Sequence, residues 1–455
     1  MSGILWTVLG IGLFVVGLLF SIWFHELGHF MWARRFGMRV PQFMVGFGPT
    51  LWSRQRGETE HGIKAIPLGG YIRIVGMIPP ARQLDGAADG QQRTYGRLRR
   101  MIEEVRGAAL DDIQPGDEDR VFYRKPWWQR VIVMSAGPVH NLILASLFFT
   151  VILVGFGIPQ GTSLTINTVS ECVLPAGSPV QDCTTPIDGD GLACAAGDNG
   201  CDLPPASPAA QAGLRAGDRI TAVDGEAVSQ WEQVQDLIRV SAGDTRRFTV
   251  DRDGQSEELS VTPLPNLVYL DAEDAEAGKP TEVGFVGVSP VVPRVQQSIT
   301  EVPAAIGGYI TRAGEALINL PERIPSVFGA AFLGDERGQN DPIGVVGVSR
   351  LSGEYFALPE PFVEKIIFFL LLLASVNMVL FLFNLVPIYP LDGGHVAGAL
   401  YEKARSVWAR IRNKPDPGPF DIARLMPIAY VVAAFFVLLS GMLLIADIVN
   451  PITLN

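Results

Sequence analysis

Charged residues are missing from the first 24 positions of this 455-residue chain, and no Lys or Arg occurs before Arg34. A cleaved signal peptide needs a basic segment ahead of its apolar run, so we expect this run to be retained in the protein. Histidine and cysteine are also scarce, with 5 His and 4 Cys in the whole chain. A cluster of either residue type is therefore informative about function.

Long uncharged stretches occur at four places in a chain that is 48% hydrophobic. A helix needs about 20 predominantly apolar residues to cross the hydrocarbon core of a bilayer. Stretches of about this length run from 1 to 24, 131 to 158, 366 to 391 and 425 to 446. We therefore predict four transmembrane helices rather than buried helices of a soluble core. Their expected bounds are 1–31, 128–158, 366–394 and 425–448.

The charges between the spans predict their orientation. Residues 32–130 carry 17 Lys and Arg against 11 Asp and Glu, residues 401–425 carry 6 against 3, and residues 159–365 carry 13 against 30. Short basic loops stay in the cytoplasm, a rule that is weak for long loops. We therefore place the segments 32–127 and 395–424 in the cytoplasm, and the acidic connection and both termini outside.

Residues His25 to His29 form an HExxH motif at the far end of the first apolar run. On a helix, two histidines four positions apart share one face, so both imidazoles can bind one zinc ion while Glu26 polarises a bound water. The pattern predicts zinc-assisted peptide hydrolysis. A capping or structural role for the pair is the alternative.

A catalytic zinc needs a third protein ligand and one position left open for water. The third span ends near Asp392, and an ionisable residue at that depth indicates a functional site. Asp392 can supply a carboxylate oxygen, and His395 is the rival ligand. Pro387 and Pro390 should break the helix nearby, which frees backbone groups that must line a cavity or find partners in the protein.

The pairing of HELGH in the first span with NLVPIYPLDGG in a later one resembles the site-2 protease family of intramembrane zinc metalloproteases. Its bacterial branch, which includes the regulator of sigma-E protease, is the most similar. Further matches are Pro67-Leu68-Gly69-Gly70-Tyr71, Gly137-Pro138-Val139-His140-Asn141 and Asp341-Pro342-Ile343-Gly344. The resemblance implies a multi-pass protein of the bacterial inner (cytoplasmic) membrane, with its active site toward the cytoplasmic side.

The resemblance also implies roles for individual residues. The expected metal centre holds one zinc ion per chain, and its three ligands and catalytic base are His25, His29, Asp392 and Glu26. Asn384 matches a position that engages the substrate backbone. Asn141 matches a second recurrent asparagine, predicted here to contact substrate, for which an interhelical hydrogen bond is an equally good interpretation.

Residues 61–77 contain short β-branched runs on either side of Gly69 and Gly70, a pattern typical of a hairpin. A peptide bond in a transmembrane helix becomes accessible only when the substrate unwinds, and the exposed backbone groups then need partners. The family has a membrane-associated β-hairpin that could add the substrate as an edge strand. We therefore expect substrate contacts at Gly69 and Gly70, with a plain cytoplasmic hairpin as the alternative.

Residues 162–265 resemble a bacterial PDZ domain, through the segments 207–220 and 223–225. The expected elements are a helix from Ser207, a strand at 220–223, a helix at 231–240 and strands at 246–251 and 257–262. PDZ domains bind an extended peptide or a free C-terminus by strand addition, and in this family they restrict access to the protease.

All four cysteines lie in a Gly-, Pro- and Asp-rich insertion at 171–205. An even number of cysteines in an exported loop predicts two disulfides, with three possible connectivities. The four candidates are Cys172, Cys183, Cys194 and Cys201. A second zinc site is less favoured because no CxxC spacing occurs. Residues 266–365 contain apolar repeats typical of amphipathic helices on the outer surface.

Together these patterns predict a polytopic α-helical membrane protein with a membrane-associated β-hairpin and an α+β extracytoplasmic PDZ domain. The predicted function is cleavage of a single-pass membrane protein, within or beside its transmembrane segment, after a first cut by an upstream site-1-type protease. The family suggests an anti-sigma factor or a remnant signal peptide as substrate. Residues 125–130 combine bases with tryptophans, so we expect lipid contacts and no nucleic-acid partner. The alternative is a membrane-bound PDZ scaffold or chaperone with a non-catalytic zinc site.

Overall fold

The computed structural model describes residues 2–80, 97–180, 182–189, 191–195, 200–270, 279–335, 337–338 and 341–452. The chain divides into two compact units. We call the first the membrane unit, which is formed by Met1–Phe156 and Gln297–Asn455, and the second the β-rich unit, which is formed by Gly157–Gln296.

Among the described residues, four helices are long and apolar enough to cross a membrane, so the predicted number of spans is confirmed. These helices are Gly3–Arg35, Trp127–Phe156, Phe362–Leu385 and Ile422–Val449. Large apolar side chains such as Val16, Leu147 and Val437 remain exposed on them. Exposed apolar side chains on helices of this length are expected to face lipid.

Among the described residues of the N-terminal part of the membrane unit, one α-helix precedes a β-hairpin in the chain and two α-helices follow it. In chain order its elements are α1 (Ser2–Arg35), β1 (Gln42–Arg56), β2 (Thr59–Arg73), α2 (Arg97–Asp111) and α3 (Trp127–Thr150), which continues as one π-helical segment over Val151–Phe156. The predicted cytoplasmic segment 32–127 falls partly outside the described residues, and the part of it that follows residue 96 contains α2.

The hairpin is formed by β1 and β2, which turn at residues 57–58. The bounds predicted for it, 61–77 with a turn at Gly69 and Gly70, are therefore wrong. The strand β1 escapes prediction because glycine and proline at 46, 48 and 49 weaken its strand pattern.

The start of β1 lies between the two ends of β2. Residues 42–45 pair with residues 60–63 on one side and with residues 70–73 on the other. Gly69 has a φ of +106°, a conformation that glycine adopts without strain, and it lies where β2 turns around β1. The glycines that suggested a hairpin turn thus lie at a bend within one strand.

The β-rich unit contains short strands and two helices in its described residues. In chain order these are β3 (Ile158–Pro159), β4 (Ile166–Val169), α4 (Pro208–Ala212), β5 (Arg219–Val223), β6 (Glu226–Ala227), α5 (Trp231–Arg239), β7 (Arg246–Arg252), β8 (Gln255–Val261), β9 (Leu264–Val268), β10 (Thr281–Phe285), β11 (Val288–Pro290) and β12 (Arg294–Val295). The elements predicted between 207 and 262 all appear within two residues of their expected bounds.

The largest sheet of this unit is antiparallel, with the strand order β6-β5-β7-β8. Its inward-facing side chains, including Ile220, Val223 and Phe248, form one core with Val234 from α5. Val286 belongs to the same core, and β11 pairs with β4. The core of this unit therefore extends beyond residue 265, the predicted end of the PDZ domain, because Val286 and β11 come later in the chain.

Two disulfides hold the insertion at 171–205. Cys172 is bonded to Cys183, and Cys194 to Cys201, so each bridge closes a short loop within the insertion. No cysteine is left free. Of the three connectivities that the sequence allowed, the structure has the one between sequence neighbours.

The C-terminal part of the membrane unit is helical. Its helices are α6 (Val302–Ile318), α7 (Leu320–Phe332), α8 (Val345–Ala357), α9 (Phe362–Leu385), α10 (Asp392–Ile411) and α11 (Met426–Val449), and a short 3₁₀ turn at Ile422–Leu425 precedes α11. The end of α11 is attached to the start of α8, because buried Asp447 accepts hydrogen bonds from Arg337 at 2.9 Å and from the Gly347 amide at 2.7 Å.

Two predicted bounds need correction here. The third span, predicted to run from 366 to 394, ends at Leu385, and Asp392 instead opens the next helix, α10. The segment predicted as a loop from 395 to 424 is therefore helical up to Ile411. Pro387 and Pro390 interrupt the helix between α9 and α10, since proline lacks an amide hydrogen and clashes with the preceding turn.

Candidate metal centre

Three predicted ligands meet in the membrane unit. His25 and His29 lie on one face of α1, and Asp392 lies in the first turn of α10. One Asp392 oxygen is 3.2 Å from His25 Nε2 and 3.3 Å from His29 Nε2. The ligand atoms of all three residues lie within 4.8 Å of one another. This separation allows one metal ion to contact them together.

The donor set is chemically suited to zinc. Two imidazole nitrogens and one carboxylate oxygen are three protein ligands, which leave one coordination position open, as catalytic zinc requires. The Asp392 oxygen that faces the two Nε2 atoms is buried, and it makes no hydrogen bond of good geometry to any described residue. A buried carboxylate oxygen without a hydrogen bond is costly, so its position beside two ring nitrogens favours a bound cation.

His395, the rival ligand, does not belong to this group of three. Its ring packs against Tyr389, with 4.8 Å between the ring centres, although it lines the same cavity as the ligands. Asp392 is therefore the better third ligand on geometry as well as on sequence resemblance.

The helix α3 holds both histidines from behind. His29 Nδ1 is 2.7 Å from the carbonyl oxygen of Val133, so the ring donates a hydrogen bond there and leaves Nε2 free for a metal. Asn141 is fully buried, and its side-chain amide lies 3.0 Å from His25 Nδ1. The amide nitrogen faces Nδ1 and the amide oxygen has no hydrogen-bond partner among the described residues, so a rotation of the amide by 180° satisfies both groups: Asn141 Oδ1 then accepts the Nδ1 proton in the same way.

Gly137 leaves the space that the His29 ring occupies. A Cβ atom at this position would lie 2.1 Å from His29 Nε2, which is closer than real atoms approach. Gly137 and Asn141 lie in the segment 137–141, one of those that resemble the site-2 protease family. The sequence therefore pointed to both residues. Val133 acts through its backbone, and no side-chain pattern could have revealed it.

Glu26 lies between the two histidines on α1 and is buried. It lines a cavity of about 280 Å³ next to the ligands. The walls of this cavity come from α1, β2, α3 and the segment between α9 and α10, and the lining residues are His25, Glu26, His29, Gly70, Tyr71, Ile72, Ile74, Met77, Met134, Asn384, Pro390, Leu391, Asp392 and His395.

The remaining predicted site residues divide into two groups. Gly70 and Asn384 line this cavity, and Asn384 donates a hydrogen bond to Leu380 of its own helix at 3.0 Å. Gly69 and Asn141 are not among the lining residues. Asn141 lies behind His25, where it matches the interhelical hydrogen bond that the sequence left open as an alternative.

A helix with an HExxH motif and an aspartate distant in sequence meet here in a buried cavity. The helices around this cavity are long enough to span a membrane. This combination defines a membrane-embedded metalloprotease. Comparison with protein families agrees: the model of peptidase family M50 matches residues 13–414. The chain belongs to this family, the site-2 proteases, and it is a zinc metalloprotease. Members of the family act on membrane-protein substrates within the bilayer.

Individual relatives cover almost the full length of the chain. The zinc metalloprotease Rip1 of Mycolicibacterium smegmatis is 34% identical over 463 residues, which cover 98% of each chain. Rip1 of Mycobacterium tuberculosis is 32% identical over 456 residues. The regulator of sigma E protease of Salmonella typhimurium is 26% identical over 515 residues, which cover 98% of this chain and 99% of that protein.

Proposed function

We propose that this zinc metalloprotease cuts a single-pass membrane protein within or beside its transmembrane segment. The observation that carries the proposal is the position of the metal centre. His25, His29 and Asp392 converge in a cavity walled by helices of membrane-spanning length, where a water-soluble substrate has poor access.

In this mechanism His25, His29 and Asp392 hold the zinc ion, which would lower the pKa of a water molecule and polarise the scissile carbonyl group. Glu26, which lines the same cavity, accepts the proton of the attacking water. It then returns that proton to the leaving amide nitrogen.

Asn141 acts on this chemistry indirectly. Its contact with His25 Nδ1 and that of Val133 with His29 Nδ1 hold both rings with Nε2 toward Asp392. Such outer contacts fix the tautomer and the orientation of a ligating histidine. We therefore favour a positioning role for Asn141 over contact with substrate.

Substrate backbone is held beside β2. Residues 70–72 line the cavity while the same stretch pairs with β1 on one side. An unwound substrate could add to this stretch as an extended strand, which would satisfy backbone groups that lipid cannot. Asn384 on the opposite wall offers a side-chain amide to the same backbone. Gly69 would act only through the bend that it allows in β2.

The wider role that we propose is regulated intramembrane proteolysis in a bacterial inner membrane. An upstream site-1-type protease makes the first, extracytoplasmic cut, and this enzyme makes the second cut near the cytoplasmic side. An anti-sigma factor or a remnant signal peptide is the proposed substrate. The β-rich unit serves as an extracytoplasmic PDZ domain that excludes substrates with bulky outer domains. Its strand and helix order between 207 and 262 supports the assignment as a PDZ domain.

The proposal is tested with the full-length enzyme in liposomes and two matched single-pass substrates, one trimmed outside and one with a folded outer domain. We expect cleavage of the trimmed substrate alone, at a bond that mass spectrometry places within or beside its transmembrane segment. The matched control is Glu26→Gln. Equal cleavage by that variant, or a cut far from the membrane, would contradict the proposed function.

The filter role has a separate test. Replacing residues 157–296 by a flexible linker should permit cleavage of the substrate that keeps its outer domain. If the variant binds zinc but no longer cuts even the trimmed substrate, peptide recognition by this unit becomes the better account.

A further inference from the structure

The second half of α10 carries an apolar stripe that the described residues leave largely exposed, although the Tyr401 ring packs against Phe420 with 5.4 Å between the ring centres. Trp408 is 58% exposed and Ile411 is 72% exposed. Other exposed residues of α10 lie three or four positions from these two, so all of them share one face of the helix, about 120° wide. The stripe consists of Leu400, Tyr401, Ala404, Val407, Trp408 and Ile411.

The opposite face of α10 packs against the protein. Glu402 forms a buried ion pair with Arg130 in the first turn of the span Trp127–Phe156, and it also accepts a hydrogen bond from the Phe420 amide at 2.8 Å. Phe420 precedes the span Ile422–Val449 by two residues. Two span ends thus meet at Glu402, so the rest of α10 starts at the edge of the membrane.

Basic side chains border the stripe on both sides. At 100° per residue, Lys403 and Arg410 lie along one border and Arg405 and Arg412 along the other. The Arg412 guanidinium lies 4.3 Å from the Trp408 ring centre, and that of Arg405 lies 5.7 Å from the Tyr401 ring centre. Aromatic rings in the middle and cations at both borders are the composition of a helix that lies in a membrane interface.

We infer that this stripe and its basic borders form a docking surface for anionic phospholipids. Exposure of the Trp and Ile side chains to water is unfavourable relative to burial in the apolar part of a membrane interface. Each Lys or Arg close to an anionic leaflet adds electrostatic attraction. A second copy of the chain is a poorer occupant, because its own basic borders would meet these and repel them.

The surface has a direct connection to the metal centre. Asp392 opens the helix that Ile411 ends, and the helix is continuous between them. The lipid-binding stripe and the third ligand therefore belong to one element.

Spin labelling of the full-length protein in nanodiscs tests the location of the stripe. All native cysteines are in disulfides, so Ala404→Cys and Ile411→Cys each add one unique label site, with Lys414→Cys as the control beyond the helix. We expect labels at 404 and 411 to collide with oxygen and to be protected from a water-soluble nickel chelate. Nickel access at both positions would overturn the proposal. So would spin–spin broadening at 411, which would indicate a second copy.

The charge requirement is tested with the variant Lys403→Gln, Arg405→Gln, Arg410→Gln and Arg412→Gln, which keeps Glu402 and Arg130 unchanged. In nanodiscs of phosphatidylcholine with one quarter phosphatidylglycerol, the wild type should enrich phosphatidylglycerol in its lipid shell at least threefold relative to this variant. Native mass spectrometry of the retained lipids measures the ratio. Equal enrichment in both proteins would overturn the proposal.

Discussion

The membrane unit and the β-rich unit use polar side chains for different purposes. In the membrane unit, single polar groups bridge helices: His29 contacts the Val133 carbonyl, Asn141 contacts His25, and Asn377 donates to Ser21 at 2.8 Å. In the β-rich unit a core of aliphatic and aromatic side chains does most of the packing, while ion pairs and disulfides hold the loops.

The difference follows from the solvent of each unit. A buried polar group in a membrane cannot form a hydrogen bond with water, so it needs a partner in the protein or a bound ion. Within the described residues, one group of three side chains could hold a metal ion, and it lies in the membrane unit. Replacing a buried polar residue of the membrane unit should therefore change zinc binding or cleavage. Replacing one of the β-rich unit should instead change the free energy of unfolding of that unit.

The largest effects are expected when the zinc ligands and the catalytic base are replaced separately. His29→Ala and Asp392→Ala should each lose most of the bound zinc and all measurable cleavage, because two ligands hold the ion poorly. Glu26→Gln should keep zinc while its activity falls by about 100- to 10,000-fold, since only the proton transfer is lost. Metal content by mass spectrometry and cleavage of a trimmed substrate are measured on the same preparations. A Glu26→Gln protein that cannot retain zinc would show a structural role for this residue.

A smaller effect is expected behind the ligands. Asn141→Leu should weaken zinc binding by about 10- to 100-fold, because His25 loses the partner that fixes its ring. Competition with a zinc chelator of known affinity measures the change. Asn377→Leu is the matched control, since it also removes a fully buried asparagine that bridges two spans but touches no ligand. Equal zinc affinities in both variants would rule out the positioning role of Asn141.

Much of the site could be predicted because its residues carry rare chemistry. Five histidines in 455 residues make HExxH informative, and an aspartate beside an apolar run is unusual for physical reasons. The spans could be predicted because a bilayer imposes their length. The elements from 207 to 262 follow an ordinary pattern of glycine turns and alternating strands.

The features that escaped prediction depend on contacts distant in sequence. The strand β1 is held between two ends of β2 rather than by its own propensity. Val286 joins the β-rich core from beyond the predicted domain end. The helix α10 looks like a charged loop in sequence because its apolar stripe and basic borders alternate, and its packing against α3 through Glu402 is a tertiary contact.

In the β-rich unit, the largest single effect is expected at Asp218. Its buried carboxylate accepts two hydrogen bonds from Arg252 at 2.7 Å, and Arg252 also reaches the Gly213 carbonyl at 2.8 Å. Asp218→Asn should lower the opening free energy of β5 and β7 by about 2 to 3 kcal/mol, the upper part of the range for hydrogen bonds to a charged group. Hydrogen exchange of the full-length protein measures this, and zinc content should not change.

The same pair predicts a dependence on pH. Arg252 holds the pKa of Asp218 below its ordinary value. A carboxyl group whose folded pKa is lowered contributes stability above its unfolded pKa, about 4, and loses that contribution as the pH falls through the folded value. The difference between wild type and Asp218→Asn should therefore be constant near pH 7 and shrink below pH 4. A difference that grows on acidification would contradict this assignment.

The smallest effect is expected at the bridge between Cys194 and Cys201, which are seven positions apart. Cross-linking so short a loop restricts the unfolded chain little, and the loop-entropy relation gives about 2 kcal/mol. Replacing both cysteines by serine should speed hydrogen exchange within residues 182–202 and leave β5, β7 and zinc content unchanged. The matched control removes the bridge between Cys172 and Cys183, which closes a longer loop and should cost slightly more. If either variant lost zinc, stability in the β-rich unit would not be separable from chemistry in the membrane unit, and the contrast between the two would fail.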